Sequence, residues 1–575
     1  MIMKNLLLPI LSVCFGITQA SILDLKITEI MYHPTTVTGV TEKQLEYIEL
    51  KNTGATVLNL RSLIVSGGIQ FTFFSDYILQ PNEFAVLVSD SNVFHTRYPA
   101  VNIAGQYSSN LANSGEELIL FAGSNKLIAI DYKDDLPWSP LADGLGYSLV
   151  PTEVNPTTNQ ESSKDWKNSC NILGSPGEDD PVCNKNFPDV WVNKVLSHTD
   201  LPQVDAIEIY NNSSVEADIS DWYLSDSKKD PYQYKIPTGT TIQPGEYYLI
   251  DENAFNPNGL GFRFNRSGDE IYLFSSNNSN ELTGFVTGWE FEAQYNGHSF
   301  GVYINSEGEK HFVPQQELTL GFENADPKIG PLVFTQIMYN PNAIQHEFLK
   351  IKNITDSTVN LWHPGTPEIG WAISGVSFTF PAGVSLDSNE SLYLTNTNPQ
   401  IFKTDNSVSD SIQVFQFLGK LSNSSEDVSI WAHDRQDTTS TGDIFMTRVL
   451  LETVNYTDEN PWPAMADGYG YFLKRKVDTD YGNDPLNWKE ESDFTDNVNE
   501  ANKLNNTYVS NNILYCSNSE IIQGTVKIFD IKGSMIFSKS IQTKNFQINI
   551  KNWANGMYVL KFESGSNMTS TKFIK

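Results

Sequence analysis

The sequence predicts an all-β chain of several domains. Three observations carry this. Short runs rich in Val, Ile, Tyr and Phe are punctuated by Gly and Pro along the whole chain. One seven-residue pattern is written three times. And 575 residues exceed what a single core packs, with about four domains the expected number. The pattern is Glu46-Tyr47-Ile48-Glu49-Leu50-Lys51-Asn52, and its copies are Asp205-Ala206-Ile207-Glu208-Ile209-Tyr210-Asn211 and Glu347-Phe348-Leu349-Lys350-Ile351-Lys352-Asn353. An acid opens each copy and an Asn closes it. Side chains alternate along an extended chain, so Ile48 and Leu50 share one face while Glu49 and Lys51 take the other, outward one. The register continues past the Asn: Leu58, Ala217 and Val359 stand six residues on, and Leu60, Ile219 and Leu361 eight. The expectation is a hairpin, once per domain.

Other elements repeat with it. Ile27 to Pro34 and Val333 to Pro341 are nearly the same text, each closed by a Pro that has no N–H for a ladder. Turns with acids precede apolar strands at Asn113-Ser114-Gly115-Glu116-Glu117, Arg266-Ser267-Gly268-Asp269-Glu270 and Asn423-Ser424-Ser425-Glu426-Asp427. Units one and three share a tail: Pro137-Trp138 with Ala142-Asp143-Gly144-Leu145-Gly146-Tyr147 matches Pro461-Trp462 with Ala466-Asp467-Gly468-Tyr469-Gly470-Tyr471, and Trp166 matches Trp488. These Trp residues are expected to cap the ends of cores. Gly174-Ser175-Pro176-Gly177 reads as a linker. The expected division is a leader over 1–20, then domains over 21–181, 186–327, 330–500 and 505–575.

The net charge of −31 repels phosphate backbones, which argues against nucleic acid as a partner. Its distribution is uneven: residues 521–575 hold eight Lys against two acids, a local +6, leaving −37 on the rest. The N-terminus reads as a secretory signal, with Lys4, an apolar stretch from Leu6 to Ile17, and Thr18-Gln19-Ala20 before the cut. No transmembrane segment is expected, since the leader is too short to span and no other stretch is apolar enough. In an oxidising compartment Cys170 and Cys183 either pair or stay as thiols, and Cys516 is the odd one out.

Candidates for chemistry are few. Gly297-His298-Ser299-Phe300-Gly301 fits the nucleophile-elbow pattern, but such an elbow needs a strand-to-helix turn, and here the surroundings read as strand and turn. The eight His residues are scattered, and His33 is replaced by Asn340 in the third copy, so structural roles are expected. Two acid groups, Asp131, Asp134, Asp135 with Asp143, and Asp218, Asp221, Asp226, are the places a calcium ion would suit; bracing of turns is the competing reading, with Asp221 and Asp205 bracing the hairpin. No catalytic residue, no metal ligand and no cofactor is assigned beyond that calcium alternative. Trp222, Tyr223, Trp289 and Trp362 would make a sugar platform if exposed, or core if not.

The three units resemble the bacterial form of the lamin-tail domain, an immunoglobulin-like β-sandwich. The residues that carry this are Ile30-Met31-Tyr32-His33-Pro34, the Glu46–Asn52 pattern, Asp218 to Asp226, and Gly144-Leu145-Gly146-Tyr147-Ser148-Leu149. The last unit resembles the C-terminal sorting domain (type A) of the type IX secretion system of Bacteroidota. Here the match is Gly524 to Gly533 with Asp530, then Gly556-Met557-Tyr558, and the ending Thr571-Lys572-Phe573-Ile574-Lys575. It departs from the family in lacking a Pro-Asn-Pro opening; Tyr515-Cys516-Ser517-Asn518 stands there, and a shortened first strand is expected. Together these resemblances imply three tandem immunoglobulin-like β-sandwiches plus a small C-terminal β-sandwich. The implied protein is exported, non-catalytic and modular, secreted or held at the outer cell surface. Its partner would be the type IX secretion machinery, with surface glycans or other cell-surface proteins as further partners. The rival functions are a carbohydrate-binding accessory and an extracellular nuclease or phosphoesterase.

Overall fold

The computed structural model describes residues 22–158, 160–183, 186–363, 365–438, 444–492, 506–510, 512–530, 534–564 and 567–575. The expected leader and its Cys14 lie outside them.

The central strand of the first repeat is the predicted one, Tyr47–Asn52, between Leu25–Met31 and Phe84–Val88. Its sheet runs Trp166–Asn168, Leu149–Pro151, Leu25–Met31, Tyr47–Asn52, Phe84–Val88, Ile103–Gln106, antiparallel except for the last pair. A second sheet, Asn125–Lys133, Gly115–Ala122, Leu63–Gly67, Ile69–Thr72, Ser108–Ser109, faces it. Ile27, Ile48, Leu50 and Leu87 from one and Val65, Leu118, Leu120 and Ile130 from the other close a single core. The second repeat builds the same layers, with Val190–Leu196 and Ala206–Asn211 in one sheet and Tyr223–Ser225, Gly268–Ser276 and Leu282–Glu292 in the other. In the third, Leu332–Met338 and Phe348–Asn353 stand over Ala372–Ser374, Ser425–Thr438 and Ile444–Thr457.

The repeats agree in detail. The opening strand carries a register break at Ile27/Glu29, Val192/Lys194 and Phe334/Gln336. Such a bulge frees backbone groups that need another partner. Each repeat supplies a different one. Gln160 brackets Ile27, accepting from its N–H and donating to its carbonyl. The Trp289 indole donates to the Val192 carbonyl. Glu452 and Arg475 together take the Phe334 N–H and carbonyl. The Trp pairs superimpose in kind: Trp138–Trp166 and Trp462–Trp488 both lie 6.3 Å apart. So do Tyr32–Tyr132 at 4.8 Å and Tyr339–Tyr456 at 4.5 Å.

The expected hairpin is not formed. Leu58–Asn59 does not return along Tyr47–Asn52; it pairs with Ile78–Leu79 in a ladder of its own, as Ala217–Asp218 does with Thr241–Ile242 and Val359–Asn360 with Ser385–Leu386. The neighbours of Tyr47–Asn52 are already supplied by the opening strand and by Phe84–Val88, so the chain arches over to the second layer. The closing Asn makes the arch. Asn52 is fully buried and donates to Thr56 and Leu79 carbonyls while its own oxygen accepts from Gly54 N–H. Asn211 donates to Val215 and Ile242 and accepts from Ser213; Asn353 donates to Ser357 and Leu386 and accepts from Thr355. The opening acid closes the other end: Glu46 accepts from Leu111 N–H at 2.8 Å and Glu347 from Leu421 N–H at 2.9 Å.

Residues 506–574 form a separate five-stranded sheet in which Ile513–Asp530 pairs with Asn506–Ser510, Met535–Asn549 and Met557–Ser564. A register break between Ser517 and Ile522 divides that strand, and Leu514, Cys516, Val526, Ile528, Leu560 and Phe562 from both halves share one core. The expected shortening of the first strand is not seen, because without prolines every N–H before the break is free to join the ladder.

The arch gives a test. Asn52→Ala, Asn211→Ala and Asn353→Ala each take the amide donor from a buried carbonyl, Leu79, Ile242 or Leu386, and from a part-buried one, and are expected to lower stability by about 1–3 kcal/mol. Thermal unfolding against exposed Asn125→Ala as control checks this, and equal effects would contradict it.

Candidate functional site

Glu49 and Lys51 were expected to face outward. Both are 1% exposed. The segment read as a linker folds back over them. Ser175 N–H donates to Glu29 at 3.0 Å, Gly177 N–H to Glu49 at 2.6 Å, and Lys51 reaches Asn155 at 2.8 Å and Asp179 at 2.5 Å. Ser148 donates to Glu29 and Thr28 to Glu49. A Cβ at Gly174 would stand 1.9 Å from Glu29 and 2.2 Å from the Tyr47 hydroxyl, so the backbone passes only as glycine. Cys170 and Cys183 are joined and staple this segment across a separation of 13 residues, worth roughly 3 kcal/mol in the chain-entropy model. Burial pushes Glu29 up to about 7 and Glu49 well up, the second helped by the charge of the first.

The other repeats seal the same face with different charges. In the second, Lys194 and Glu208 are fully buried 2.8 Å apart, and Gly321 N–H and Phe322 carbonyl complete them. In the third, Lys352 meets Asp478 at 2.7 Å at the rim of that face, while Arg475 and Glu452, 2.6 Å apart, are buried on the core side at the bulge. These are buried charges held by partners, an arrangement that fixes geometry more than it adds stability.

The acids considered for calcium have partners. Lys228 of the second repeat reaches Asp135 at 2.5 Å and Asp134 at 3.2 Å; burial opposes its charge, but the two carboxylates outweigh it and its pKa is raised. Asp131 holds Lys133, and Asp143 holds His33 at 2.5 Å. Asn340 meets Asp467 in the equivalent place, which explains why the His is exchangeable. Asp218 accepts from Ser220 N–H; Asp221 accepts from Thr238 and pairs with Lys235 at 2.8 Å. Asp226 is not brought to them as a shared ligand set. Its backbone N–H donates to the Gln233 side-chain oxygen instead. Asp205 accepts from Thr199, and burial pushes it up to about 6. Among the described residues no group of three His, Cys, Asp or Glu side chains is arranged to hold a metal.

Ser299 is 1% exposed and bonded to Gln315, and a strand, Phe300–Ile304, follows it where an elbow needs a helix. Trp222 and Tyr223 are buried, the second of the two alternatives: Trp222 lies in the core, and Tyr223 lies in the contact between repeats. Trp289 stacks on Phe312 at 5.1 Å, and Trp362 is half-buried.

Sequence reasoning missed the contacts between repeats. Leu141 and Tyr147 of the first pack on Tyr223, Tyr272 and Phe274 of the second, with Leu136, Leu145, Leu282 and Val286 around them. Asn168 donates to the Gly284 carbonyl, and Lys164 pairs with Glu309. The second meets the third through Ser306 N–H on Asp484 and His311 beside the Tyr481 hydroxyl at 3.1 Å. A cleft of about 320 Å³ lies there, walled by Phe291, Phe312, Leu451 and Tyr481 with Glu290 and Glu292 at its polar side. The signal was present in the Gly-x-Gly-Tyr shared by the tails, Gly144 to Tyr147 and Gly468 to Tyr471, but its use needs the neighbour's sheet face.

In the C-terminal sheet, Gly524 lies opposite Ile541, and Asp530 donates its N–H to the Ser534 carbonyl while its carboxylate accepts from the Ser534 N–H; Gly533 lies outside the described residues. Tyr558 is buried on Phe573 at 5.5 Å, Lys572 pairs opposite Val559, and Gly556 and Lys575 exchange both backbone bonds.

A family model for the lamin tail domain matches residues 18–133 and 184–289, and one for a secretion system C-terminal sorting domain matches residues 507–575. The chain carries lamin tail domains and a type IX sorting tail. A protein with this tail is exported by the type IX system as a modular cell-surface or secreted protein, and it engages that machinery on the way. Among the described residues no helix is long and apolar enough to cross a membrane. The first matched stretch ends before the 137–181 tail, so the segment that seals Glu29 and Glu49 lies outside it. No curated protein matches the chain. Among solved structures, a DUF3244 family protein with an immunoglobulin-like β-sandwich from Bacteroides vulgatus is 21% identical over 12% of this chain and 80% of its own, with a TM-score of 0.12. A DUF4876 family protein from Bacteroides thetaiotaomicron is 10% identical over 53% and 94%, TM-score 0.18. PorZ of Porphyromonas gingivalis, described as an essential bacterial surface component of the type IX secretion system, is 9% identical over 81% and 70%, TM-score 0.12.

The buried Glu29 has a pH signature. A carboxyl raised on folding contributes stability below its unfolded value near 4.5 and loses it as pH rises through about 7. Glu29→Gln is therefore expected to melt higher than the wild type at about pH 8, and the gap is expected to close toward pH 4.5. A gap independent of pH would contradict this.

Proposed function

We propose that the protein is a non-catalytic scaffold or adhesin displayed outside the cell. It is built of three lamin-tail-like sandwiches over 21–181, 186–327 and 330–500, and delivered by a sorting domain over 505–575. The observation that carries this is the matched C-terminal sorting domain behind repeated sandwiches. The third stretch is included because it repeats the bulge, the arch-forming Asn353, the Tyr339–Tyr456 contact and the Trp462–Trp488 pair of the first. The non-catalytic reading is supported by where the polar side chains are engaged. Buried carboxyls brace sheets, Ser299 is bonded to Gln315, and Asp134 and Asp135 hold a neighbouring repeat. Fold alone does not assign a ligand; the loops at the sandwich ends are the contact surfaces such scaffolds offer.

The sorting motif is assigned to Gly524, Asp530, Gly533, Gly556, Tyr558, Lys572 and Lys575. Deleting 505–575 is expected to hold the protein in the periplasm with its three sandwiches folded, read by cell fractionation and protease protection. Normal surface appearance of the truncated protein would overturn the assignment.

A further inference from the structure

The tails of the first and third repeats correspond residue for residue, yet they are covered differently. Leu141 and Tyr147, 0% and 2% exposed, are the seat on which the second repeat docks. The counterpart of Leu141 is Met465, 38% exposed, and that of Leu145 is Tyr469, 68% exposed. Ile344, 85% exposed, lies on the adjoining loop, which Gln345 ties to the Gly470 carbonyl. The acid pair beside the seat is kept as well: Asp458 and Glu459 stand where Asp134 and Asp135 hold Lys228, and both are exposed.

The first repeat bears the complementary face. The second repeat docks with Tyr223, Tyr272 and Phe274 on the outer side of its second sheet. The shared turn that precedes Gly115 and Gly268 sets the correspondence, and Ile64, Ile119 and Phe121 stand at those positions. All three are partly exposed on the outer side of a sheet whose inner side, Val65, Leu118 and Leu120, is core. An apolar sheet face and an apolar seat of matching ancestry are thus left at opposite ends of the run of repeats.

We propose that the exposed seat on the third repeat receives the second-sheet face of the first repeat of another copy, so that the chains join head to tail. The inference rests on reading 330–500 as a repeat of 21–181. A heterologous contact of this kind does not close on itself and builds a string. The first repeat has no Lys between Ile64 and Ser75 to play the part of Lys228, so the apolar contact acts alone and belongs to the weak, transient class of interfaces.

Sedimentation of the purified exported protein tests it, up to about 0.5 mM, above the micromolar range of weak interfaces. The expected result is a mass that rises with concentration beyond a dimer. Tyr469→Asp and Ile119→Asp are each expected to remain monomeric, and an equal mixture of the two to stop at a dimer, since each retains one intact face. The dimer also shows that both variants are folded. A wild type that stays monomeric overturns the proposal. So does association lost with Tyr469→Asp but kept with Ile119→Asp, which would point to a different occupant of the seat, such as another protein or the chain's own sorting domain. Neither outcome depends on where the protein is delivered.

Discussion

The structure depends on one constraint: a central strand buried on both faces, apolar toward one layer and ionisable toward the other. In the first repeat Ile48 and Leu50 meet the second sheet while Glu49 and Lys51 are equally buried on the opposite side. Burying a charge without partners costs more than a domain's stability allows. Each repeat must therefore bring its own tail back across that side. Gly174 to Asp179 does so in the first, Gly321 and Phe322 in the second, and the Asp478 segment in the third. The tail is part of the fold, and the disulfide between Cys170 and Cys183 holds it where it is longest.

The same constraint absorbs the side chains that looked chemically able. The acids near Asp131 bind lysines and a histidine, Asp221 braces a turn, and Glu46 caps a loop with a pKa pushed up to about 7 by burial. What remains for function lies on the surfaces between and beyond the repeats. That is where a modular exported protein is expected to work, because sheets hold the loops and faces that partners meet.

Much of the fold was legible in the sequence, and the legible parts have a common cause. Where a role admits one solution, the repeats spell it alike. Asn52, Asn211 and Asn353 are kept because a short amide alone can donate to two carbonyls and accept from a third group at the arch. The Trp pairs and Tyr32 or Tyr339 are kept because their cavities are. Where a role admits several solutions, the text varies and the sequence is silent. The bulge is satisfied by Gln160, Trp289 or Glu452 with Arg475, so no pattern announces it. The polar face is sealed over an acid pair, a Lys–Glu pair or a Lys–Asp pair, and alternation alone misplaces Glu49 as outward. The arch was misread as a hairpin because Leu58 and Leu60 keep the strand period while pairing with a different layer. Tyr223 was ambiguous for a third reason: burial there is supplied partly by the preceding repeat, which local sequence does not describe.

The central claim is that the tail seals the polar face, and hydrogen exchange on the Gly174→Ala protein tests it most directly. A Cβ there drives the segment off Glu29 and Tyr47. Amides of Leu25–Met31 and Tyr47–Asn52 are then expected to exchange faster, while Val190–Leu196 in the second repeat keeps its protection. Unchanged protection across both strands of the first repeat would contradict the account.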